Sequence, residues 1–207
     1  MRIIRKTVGP VGTNAYFLIN GESGECLLVD PGDQPEVLQG VLRQEGLKLK
    51  AILLTHGHFD HIQAVPALKE AFGVPVLAGE KERPLLADPG LSSGGLWPNR
   101  VSLVPDKGLR DGDRLELAGL KLQVLETPGH TPGGICYFLP DEQAVFTGDT
   151  LFQGSYGRTD LYGGSDAEIL RSVRRLLREL PAETQVYPGH GGASRIEFER
   201  LINPLAE

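Results

Sequence analysis

Apolar and polar positions define three short segments in the first thirty residues. The segments RIIRKTV, NAYFLIN and ECLLVD are bounded by the turn-forming stretches GPVGT and NGESGE, which predicts three β-strands. Apolar residues then recur at helical spacing in VLQGVL, and Asp33 is the expected N-cap of this helix. The continuous apolar run AILLT that follows is typical of a strand buried on both faces.

The middle of the chain predicts a helix, a strand and a long excursion. HIQAVPALKEAFG reads as a helix ended by Gly73, and VPVLAG as a strand. Residues 81–99 are rich in Gly, Pro and Ser, so we expect a surface segment that is either a lid over a site or a plain connection. It carries the single tryptophan, Trp97, which either faces a substrate or anchors the loop onto the core.

The second half repeats the order of strands followed by helices. DRLELAG, LKLQVLET, ICYFLP and AVFTGD predict a meander, SDAEILRSVRRLLREL an amphipathic helix, TQVYPG a last strand, and residues 195–201 a short helix. Two sheets packed together with helices outside fit this order better than one doubly wound sheet. A length of 207 residues fits a single domain over 1–207.

Charge and hydropathy narrow the classes of partner. A net charge of −6 and a pI near 5.4 argue against nucleic acid as a partner. No apolar run reaches the roughly 18–20 residues that span a bilayer, and MRIIRKTVGP does not resemble a signal peptide. We therefore expect a cytoplasmic protein that acts on a small molecule without a membrane partner. Nothing in the sequence indicates an oligomeric state.

Two further features have simple structural interpretations. Cys26 and Cys136 lie in apolar stretches without a CxxC partner, so buried free thiols are expected rather than a disulfide. The arginines of the long amphipathic helix alternate with glutamates, which predicts a solvated face; they are Arg171, Arg174, Arg175 and Arg178.

Candidate metal ligands are concentrated directly after the AILLT strand. His56, His58, Asp60 and His61 lie within six residues at a strand-to-helix junction. Imidazole and carboxylate together suit zinc, iron and manganese. Gly57 is expected to let the backbone turn tightly so that both neighbouring rings point inward.

The remaining histidines lie at other predicted strand ends. His130 and His190 each follow a Pro-Gly pair, and Asp149 ends the segment FTGD between them. A single histidine is most often a surface or core residue, but here no histidine of the chain is left over. The sequence therefore predicts one metal centre built from all five histidines and two aspartates.

The pattern HGHFDH, followed in order by His130, Asp149 and His190, resembles the metallo-β-lactamase superfamily over nearly the whole chain. The resemblance implies a four-layer αββα sandwich with two metals at one edge of the sheets. It implies that Asp149 bridges the metals and that Asp30 in LVDPG supports the ligand loop, although a plain Asp-Pro-Gly turn explains Asp30 equally well. The first metal would be held by His56, His58 and His130, and the second by Asp60, His61 and His190.

Such a centre, with two divalent ions, implies hydrolysis. Zinc is the first choice, with iron or manganese as alternatives. A hydroxide generated on the metals would attack a carbonyl, and Asp60 and Asp149 would be catalytic by orienting it. No other catalytic acid is visible, which suits thioesters and lactones, because a thiolate leaves with little protonation.

Local signatures indicate the branch. TPGHTPG and FTGDTLF resemble hydroxyacylglutathione hydrolase (glyoxalase II), and only 17 residues follow His190, so the short bacterial branch acting on S-D-lactoylglutathione is expected. Gly157–Asp160, GRTD, also resembles persulfide dioxygenases, which makes a mononuclear iron dioxygenase the alternative. A lactonase and a non-catalytic metal-binding protein are further alternatives. Arg158 either pairs with Asp160 or faces an anionic substrate.

Overall fold

The computed structural model describes residues 1–95 and 101–206, and over these residues it contains two six-stranded sheets and a small hairpin. The strands of the first sheet are β1 Arg2–Val8, β2 Thr13–Ile19, β3 Glu25–Val29, β4 Lys48–Leu53, β5 Val76–Gly79 and β6 Lys107–Leu109. The strands that follow are β7 Arg114–Leu117, β8 Leu120–Glu126, β9 Ile135–Leu139, β10 Ala144–Gly148, β11 Leu151–Phe152, β12 Ser155–Tyr156, β13 Gln185–Pro188 and β14 Ser194–Arg195.

Each large sheet combines antiparallel and parallel pairs. The first sheet has the order β1-β2-β3-β4-β5-β6, antiparallel from β1 to β3 and parallel from β3 to β6. The second has the order β14-β13-β10-β9-β8-β7, and its strands β7 to β10 form the predicted meander. Strands β11 and β12 form the hairpin. The short strands β6, β11, β12 and β14 were not predicted, because two or three residues carry no readable alternation.

Six helices of the described chain lie between these strands. They are α1 Pro35–Gln44, α2 Val65–Phe72, α3 Arg83–Ala87, α4 Pro89–Ser93, α5 Asp166–Glu179 and α6 Ile196–Ile202. The predicted N-cap of α1 is wrong: Gln34 is the capping residue, and Asp33 Oδ1 instead accepts a hydrogen bond from the Gln34 backbone N–H at 2.6 Å. Helix α2 begins later than predicted, because Phe59–His61 form a 3-10 turn.

The buried apolar side chains form three layers, which confirms the four-layer αββα sandwich. Strand β2 shows the arrangement, since successive strand residues point to opposite faces. Ala15, Phe17 and Ile19 pack in the layer that contains residues of α1 and α2. Tyr16 and Leu18 pack between the two sheets, and a third layer joins the second sheet to α5. With both faces covered, every residue of β2 is buried.

The segment 81–99 is not the open excursion that its composition predicts. Glu80–Glu82 form a 3-10 turn, and helices α3 and α4 follow it. Leu85 and Leu86 of α3 are buried, so this part of the segment packs on the core. Trp97 lies outside the described residues, and its two interpretations stay predictions.

Two simpler expectations are confirmed. Cys26 and Cys136 are free and buried. On α5, the side chains of Arg171 and Arg178 are 70% and 73% exposed, while Arg175 pairs with Asp111 at 2.7 Å. Across residues 1–95 and 101–206, no helix combines the length and apolar character that a membrane span requires.

Candidate metal centre

The structure brings all seven predicted ligands together at one edge of the sandwich. His56, His58, Asp60 and His61 lie on the segment that follows β4 of the first sheet. The other three ligands come from the second sheet, each just after a strand: His130 after β8, Asp149 after β10 and His190 after β13. The site therefore depends on how the two sheets are joined at this edge.

Two polar side chains of β2 in the first sheet form hydrogen bonds to the turn after β13 in the second sheet. Asn14 Nδ2 donates to the carbonyl oxygens of Pro188 and Gly191, each at 3.1 Å, and the Tyr16 hydroxyl donates to Pro188 O at 2.7 Å. The Asn14 backbone N–H also donates to Gly189 O at 2.7 Å. These bonds fix the turn that carries His190 against the first sheet.

The ligand atoms form two groups that meet at Asp149. Within His56, His58 and His130, and within Asp60, His61 and His190, the ligand atoms all lie within 4.8 Å of one another. Asp149 Oδ1 lies 3.4 Å from His61 Nε2, and Asp149 Oδ2 lies 3.6 Å from His130 Nε2 and 3.5 Å from His190 Nε2. The Asp149 carboxylate is therefore close to ligand atoms of both groups.

Unpartnered buried atoms show that the residues present fit metal ions. Nε2 of His56, His58 and His61, and Oδ1 of Asp149, are buried without a hydrogen-bond partner in the described structure. A buried polar atom without a partner costs about 1–3 kcal/mol, so these atoms within the ligand residues call for a compensating ligand. Imidazole nitrogens and carboxylate oxygens are metal ligands, so bound metal ions would be the missing partners of these atoms.

Asp30 belongs to a third close group, with His56 and His61, but its carboxylate is already engaged. Oδ1 accepts from the Thr55 backbone N–H at 2.8 Å, and Oδ2 accepts from the Thr55 hydroxyl at 2.6 Å. The His61 ring contributes a third contact, Nδ1 to Oδ2, at 3.0 Å. The structure thus favours the supporting role of Asp30 over a plain turn.

The same network sets the tautomer of His56. A hydroxyl has one hydrogen, and Thr55 gives it to Asp30, so Thr55 Oγ1 accepts from His56 Nδ1 at 3.1 Å. With Nδ1 protonated on His56 and on His61, Nε2 of each ring is free to bind a metal.

The backbone of Asp30 adopts φ of +47°, a conformation that is rare for a residue with a side chain.

The backbone of the GRTD segment orients His130. His130 Nδ1 lies 2.7 Å from the carbonyl oxygen of Arg158, to which it donates, so Nε2 carries the lone pair of the ring. Nε2 lies 2.8 Å from His58 Nδ1, and these two nitrogens could bind the same ion. The Arg158 guanidinium makes the expected bidentate pair with Asp160, at 2.6 and 2.7 Å. Arg158 also lines the cavity beside the ligands.

Among the ligand histidines, pKa values shift in opposite directions. Burial and neighbouring imidazoles lower the pKa of His56, and burial and His130 lower the pKa of His58 to about 3. Burial opposes ionisation of Asp60 and Asp149, but His61 outweighs it and lowers the pKa of both. Burial opposes protonation of His61 and His190, but Asp60 and Asp149 outweigh it and raise the pKa of both rings. Metals bind neutral imidazoles and ionised carboxylates, so metal binding must displace the extra proton from these two rings.

Gly57 has a different role from the one predicted. Its φ lies outside the left-handed region, so the turn does not require glycine. A Cβ atom at this position would lie 3.1 Å from Glu82 Oε2 and from Leu86. A side chain at position 57 would therefore press on Glu82 and Leu86, which pack closely against the ligand loop.

A cavity of about 300 Å³ opens directly onto the ligands. Val11 lies on the turn between β1 and β2, Leu161 follows the GRTD segment, and both contribute apolar walls. Ser92 and Ser93 of α4 also line the cavity, so part of the 81–99 segment reaches the site.

Four supporting residues were missed by sequence reasoning: Thr13, Asn14, Thr55 and Glu82. Thr13 Oγ1 donates to Asp60 Oδ2 at 2.8 Å. Polar residues that open or close an apolar strand were the available signal for the first three. Glu82 carries no local pattern, since its partners are backbone N–H groups.

An αββα sandwich with a His/Asp centre at the edge where its sheets meet defines a class of metal-binding proteins. The chain belongs to the metallo-beta-lactamase superfamily, whose family model matches residues 8–190. This membership supports a metal-dependent hydrolase.

Two relatives resemble the chain over most of its length. A probable metallo-hydrolase of Bacillus subtilis, YqgX, is 40% identical over 99% of this chain and 97% of the relative. The hydroxyacylglutathione hydrolase GloC of Haemophilus influenzae is 36% identical over 91% of this chain and 90% of the relative.

Three solved structures show the same fold. The B3 metallo-beta-lactamase BLEG-1 is 39% identical with a TM-score of 0.94, covering 99% of both chains. TTHA1623 in a di-iron-bound form is 40% identical, with a TM-score of 0.87 over 97% of this chain and 98% of that one. ETHE1 from Myxococcus xanthus is 30% identical, with a TM-score of 0.81 over 100% of this chain and 85% of that one. The di-iron neighbour and the ligand cluster together support two metal ions.

Proposed function

We propose that the protein hydrolyses thioesters of the hydroxyacylglutathione type, such as S-D-lactoylglutathione. The observation that carries the proposal is the pair of ligand groups that share Asp149 and open onto the cavity. The 36% identity to GloC adds support from a relative. We propose the ligand assignments made from the sequence, with His56, His58 and His130 on one ion, Asp60, His61 and His190 on the other, and Asp149 on both.

The chemistry divides between the ions and the chain. Two bound metal ions would supply an activated water and polarise the substrate carbonyl. Asp60 and Asp149 would orient that water, and the hydrogen bond from Thr13 holds the Asp60 carboxylate in place. Val11 and Leu161 would exclude bulk water from one side of the substrate.

The cavity favours a leaving group that needs no proton. Among its described lining residues, the polar side chains other than ligands are Ser92, Ser93 and Arg158. Ser92 already donates to the carbonyl of Gly57 at 2.6 Å, and a guanidinium does not give up its proton. A thiolate leaves without protonation, since a thiol has a pKa near 8.5, whereas an amide nitrogen requires an acid.

Zinc is the metal we propose, because centres of histidine and carboxylate ligands with an open position are typical of zinc hydrolases. The di-iron form of TTHA1623 makes iron the alternative. Elemental analysis of the purified protein decides between them and gives the number of ions per chain.

A second candidate is a mononuclear iron persulfide dioxygenase. The Gly157–Asp160 segment favours it, and ETHE1 shares the fold at 30% identity. One iron per chain, with oxygen uptake on glutathione persulfide, would establish this activity. Two ions per chain with thiol release from a thioester would establish the hydrolase.

The test is a substrate panel on metal-loaded protein. Thiol release from S-D-lactoylglutathione is the expected result, with a lactone and a β-lactam as comparison substrates because BLEG-1 is 39% identical. A protein with two ions that turns over neither thioesters nor lactones would overturn the proposal.

A cytoplasmic location is part of the proposal, and the two free cysteines are in keeping with a reducing compartment.

A further inference from the structure

Glu82 is a fully buried glutamate that lies outside every ligand motif. It ends the 3-10 turn after β5, and its side chain reaches two backbone N–H groups. Oε2 accepts from Gly57 at 2.8 Å, and Oε1 accepts from Gly133 at 2.7 Å. Gly57 stands between two proposed ligands of the first metal, and Gly133 follows the third ligand by three residues.

We propose that Glu82 is a positioning residue for the metal held by His56, His58 and His130. One carboxylate clamps the loop after β4 to the loop after β8, and so fixes ligands from the two sheets relative to each other. This inference rests on the proposed ligand assignments, and it is independent of the substrate.

The segments around Glu82 pack closely against both ligand loops. A Cβ atom on Gly133 would lie 2.4 Å from the Glu82 backbone nitrogen and 2.5 Å from the Lys81 carbonyl carbon. A Cβ atom on Gly57 would lie 3.1 Å from Glu82 Oε2 and from Leu86. The two ligand loops and the 3-10 turn are therefore in direct contact, without room for a bridging water.

The charge of Glu82 also needs an explanation. Within residues 1–95 and 101–206, no cationic side chain forms an ion pair with Glu82. Its neighbours are engaged elsewhere, Lys81 with Glu126 and Arg83 with Glu80. Burial of a carboxylate without a cationic partner costs free energy, so other interactions must offset that cost at Glu82. The two charge-assisted hydrogen bonds from Gly57 and Gly133 provide that offset.

Replacement by glutamine tests the clamp with almost no change in volume. A carboxylate offers two acceptor oxygens, whereas an amide offers one and places an N–H₂ donor at the other site. Glu82→Gln therefore satisfies one ligand loop and repels the other.

Glu199 is a matched control. It is also fully buried, and it accepts from the Gly154 backbone N–H at 3.1 and 3.0 Å and from Asn203 Nδ2 at 2.9 Å. The Ser194 hydroxyl also donates to Glu199 Oε1 at 2.5 Å. None of these partners lies within three residues of a proposed ligand. Glu199→Gln thus carries a similar structural cost without touching the metal loops.

The experiment measures metal affinity by competition with a chromophoric chelator, alongside the Tm of the metal-free proteins and the spectrum after cobalt substitution. Glu82→Gln should weaken one of the two sites by about 10–100-fold, as outer partners of ligands do, and change the cobalt spectrum of that site. Glu199→Gln should lower Tm while keeping both affinities. Wild-type affinity at both sites in Glu82→Gln would reduce Glu82 to a structural residue and overturn the inference.

A measurement on the wild-type protein covers a variant that fails to fold. The clamp predicts that the backbone amides of Gly57 and Gly133 both exchange slowly with solvent in metal-free protein. Fast exchange of either amide in the folded protein would overturn the inference. A protein that binds two ions but hydrolyses no thioester would remove the proposed function and leave this inference standing.

Discussion

Asp30 Oδ2 lies 3.0 Å from His61 Nδ1, on the side of the ring opposite the metal-binding nitrogen. The same oxygen accepts from the Thr55 hydroxyl at 2.6 Å, and through Thr55 it also determines the tautomer of His56. One buried carboxylate therefore orients a proposed ligand of each metal.

The Asp30→Asn variant should weaken metal binding, because an amide cannot accept from Thr55 and His61 in the same way. We expect a loss of about 10–100-fold in metal affinity, measured by chelator competition. Asp33→Asn is the control, since the Asp33 carboxylate accepts from the neighbouring Gln34 N–H and contacts no proposed ligand among the described residues, so this variant should keep wild-type affinity. Equal affinities in the two variants would contradict the supporting role.

The Asp149→Ala variant should lose metal content and activity together, because its carboxylate lies between the two ligand groups. Elemental analysis and thioester turnover measure the two effects. Asp141→Ala removes an exposed carboxylate and should change neither. If Asp149→Ala retained two ions and wild-type turnover, the bridging assignment would be wrong.

Metal removal should lower the stability of the folded protein. Nε2 of His56 and His61 and Oδ1 of Asp149 are buried without a hydrogen-bond partner among the described residues, and bound ions would give them one. At a metal concentration 1,000 times Kd, the linkage contributes about 4 kcal/mol per site. Differential scanning calorimetry with and without chelator should show a lower Tm for the metal-free form. An unchanged Tm would show that the centre binds no metal tightly.

The Arg158→Ala variant should raise KM for a glutathione thioester and leave metal content unchanged. The guanidinium lines the cavity, whereas His130 is held by the backbone carbonyl of residue 158, which the substitution keeps. The exposed pair with Asp160 contributes little to stability, so Tm should stay near wild type. Lower metal occupancy, or an unchanged KM, would assign Arg158 to the loop alone.

Both cysteines should resist thiol reagents in the native protein. Burial raises the pKa of Cys26 and of Cys136 to about 12, so at pH 8 the reactive thiolate is scarce. A chromogenic disulfide reagent should label neither thiol until denaturant is added, and then both. Rapid labelling of the folded protein would contradict the burial.

The sequence predicted the main strands and the ligands because both carry local patterns. Strand β2 alternates apolar side chains that reach different layers, and the HGHFDH segment concentrates donors at one strand end. Helices α3 and α4 were missed because each has only five residues and a proline in its first turn. Pro84 and Pro89 favour a helix start, but within a Gly- and Ser-rich segment they resemble loop residues.

The supporting contacts were beyond prediction for a different reason. Asn14 donates to a carbonyl 174 residues away, and Glu82 binds the backbone of two distant loops. A backbone N–H or C=O is present at nearly every residue, so its partner leaves no trace in the local sequence. Such pairs are defined only when the sheets pack.

Each proposed ion takes ligands from both sheets, and this governs the order in which the centre assembles. Contacts between distant parts of a chain form late in folding, because loop closure precedes them. Neither ion can therefore nucleate a single sheet; the ions enter a pair of sheets that has already docked. Opening of the interface between the sheets would separate the ligands of both ions at once, so two bound ions would oppose that opening together.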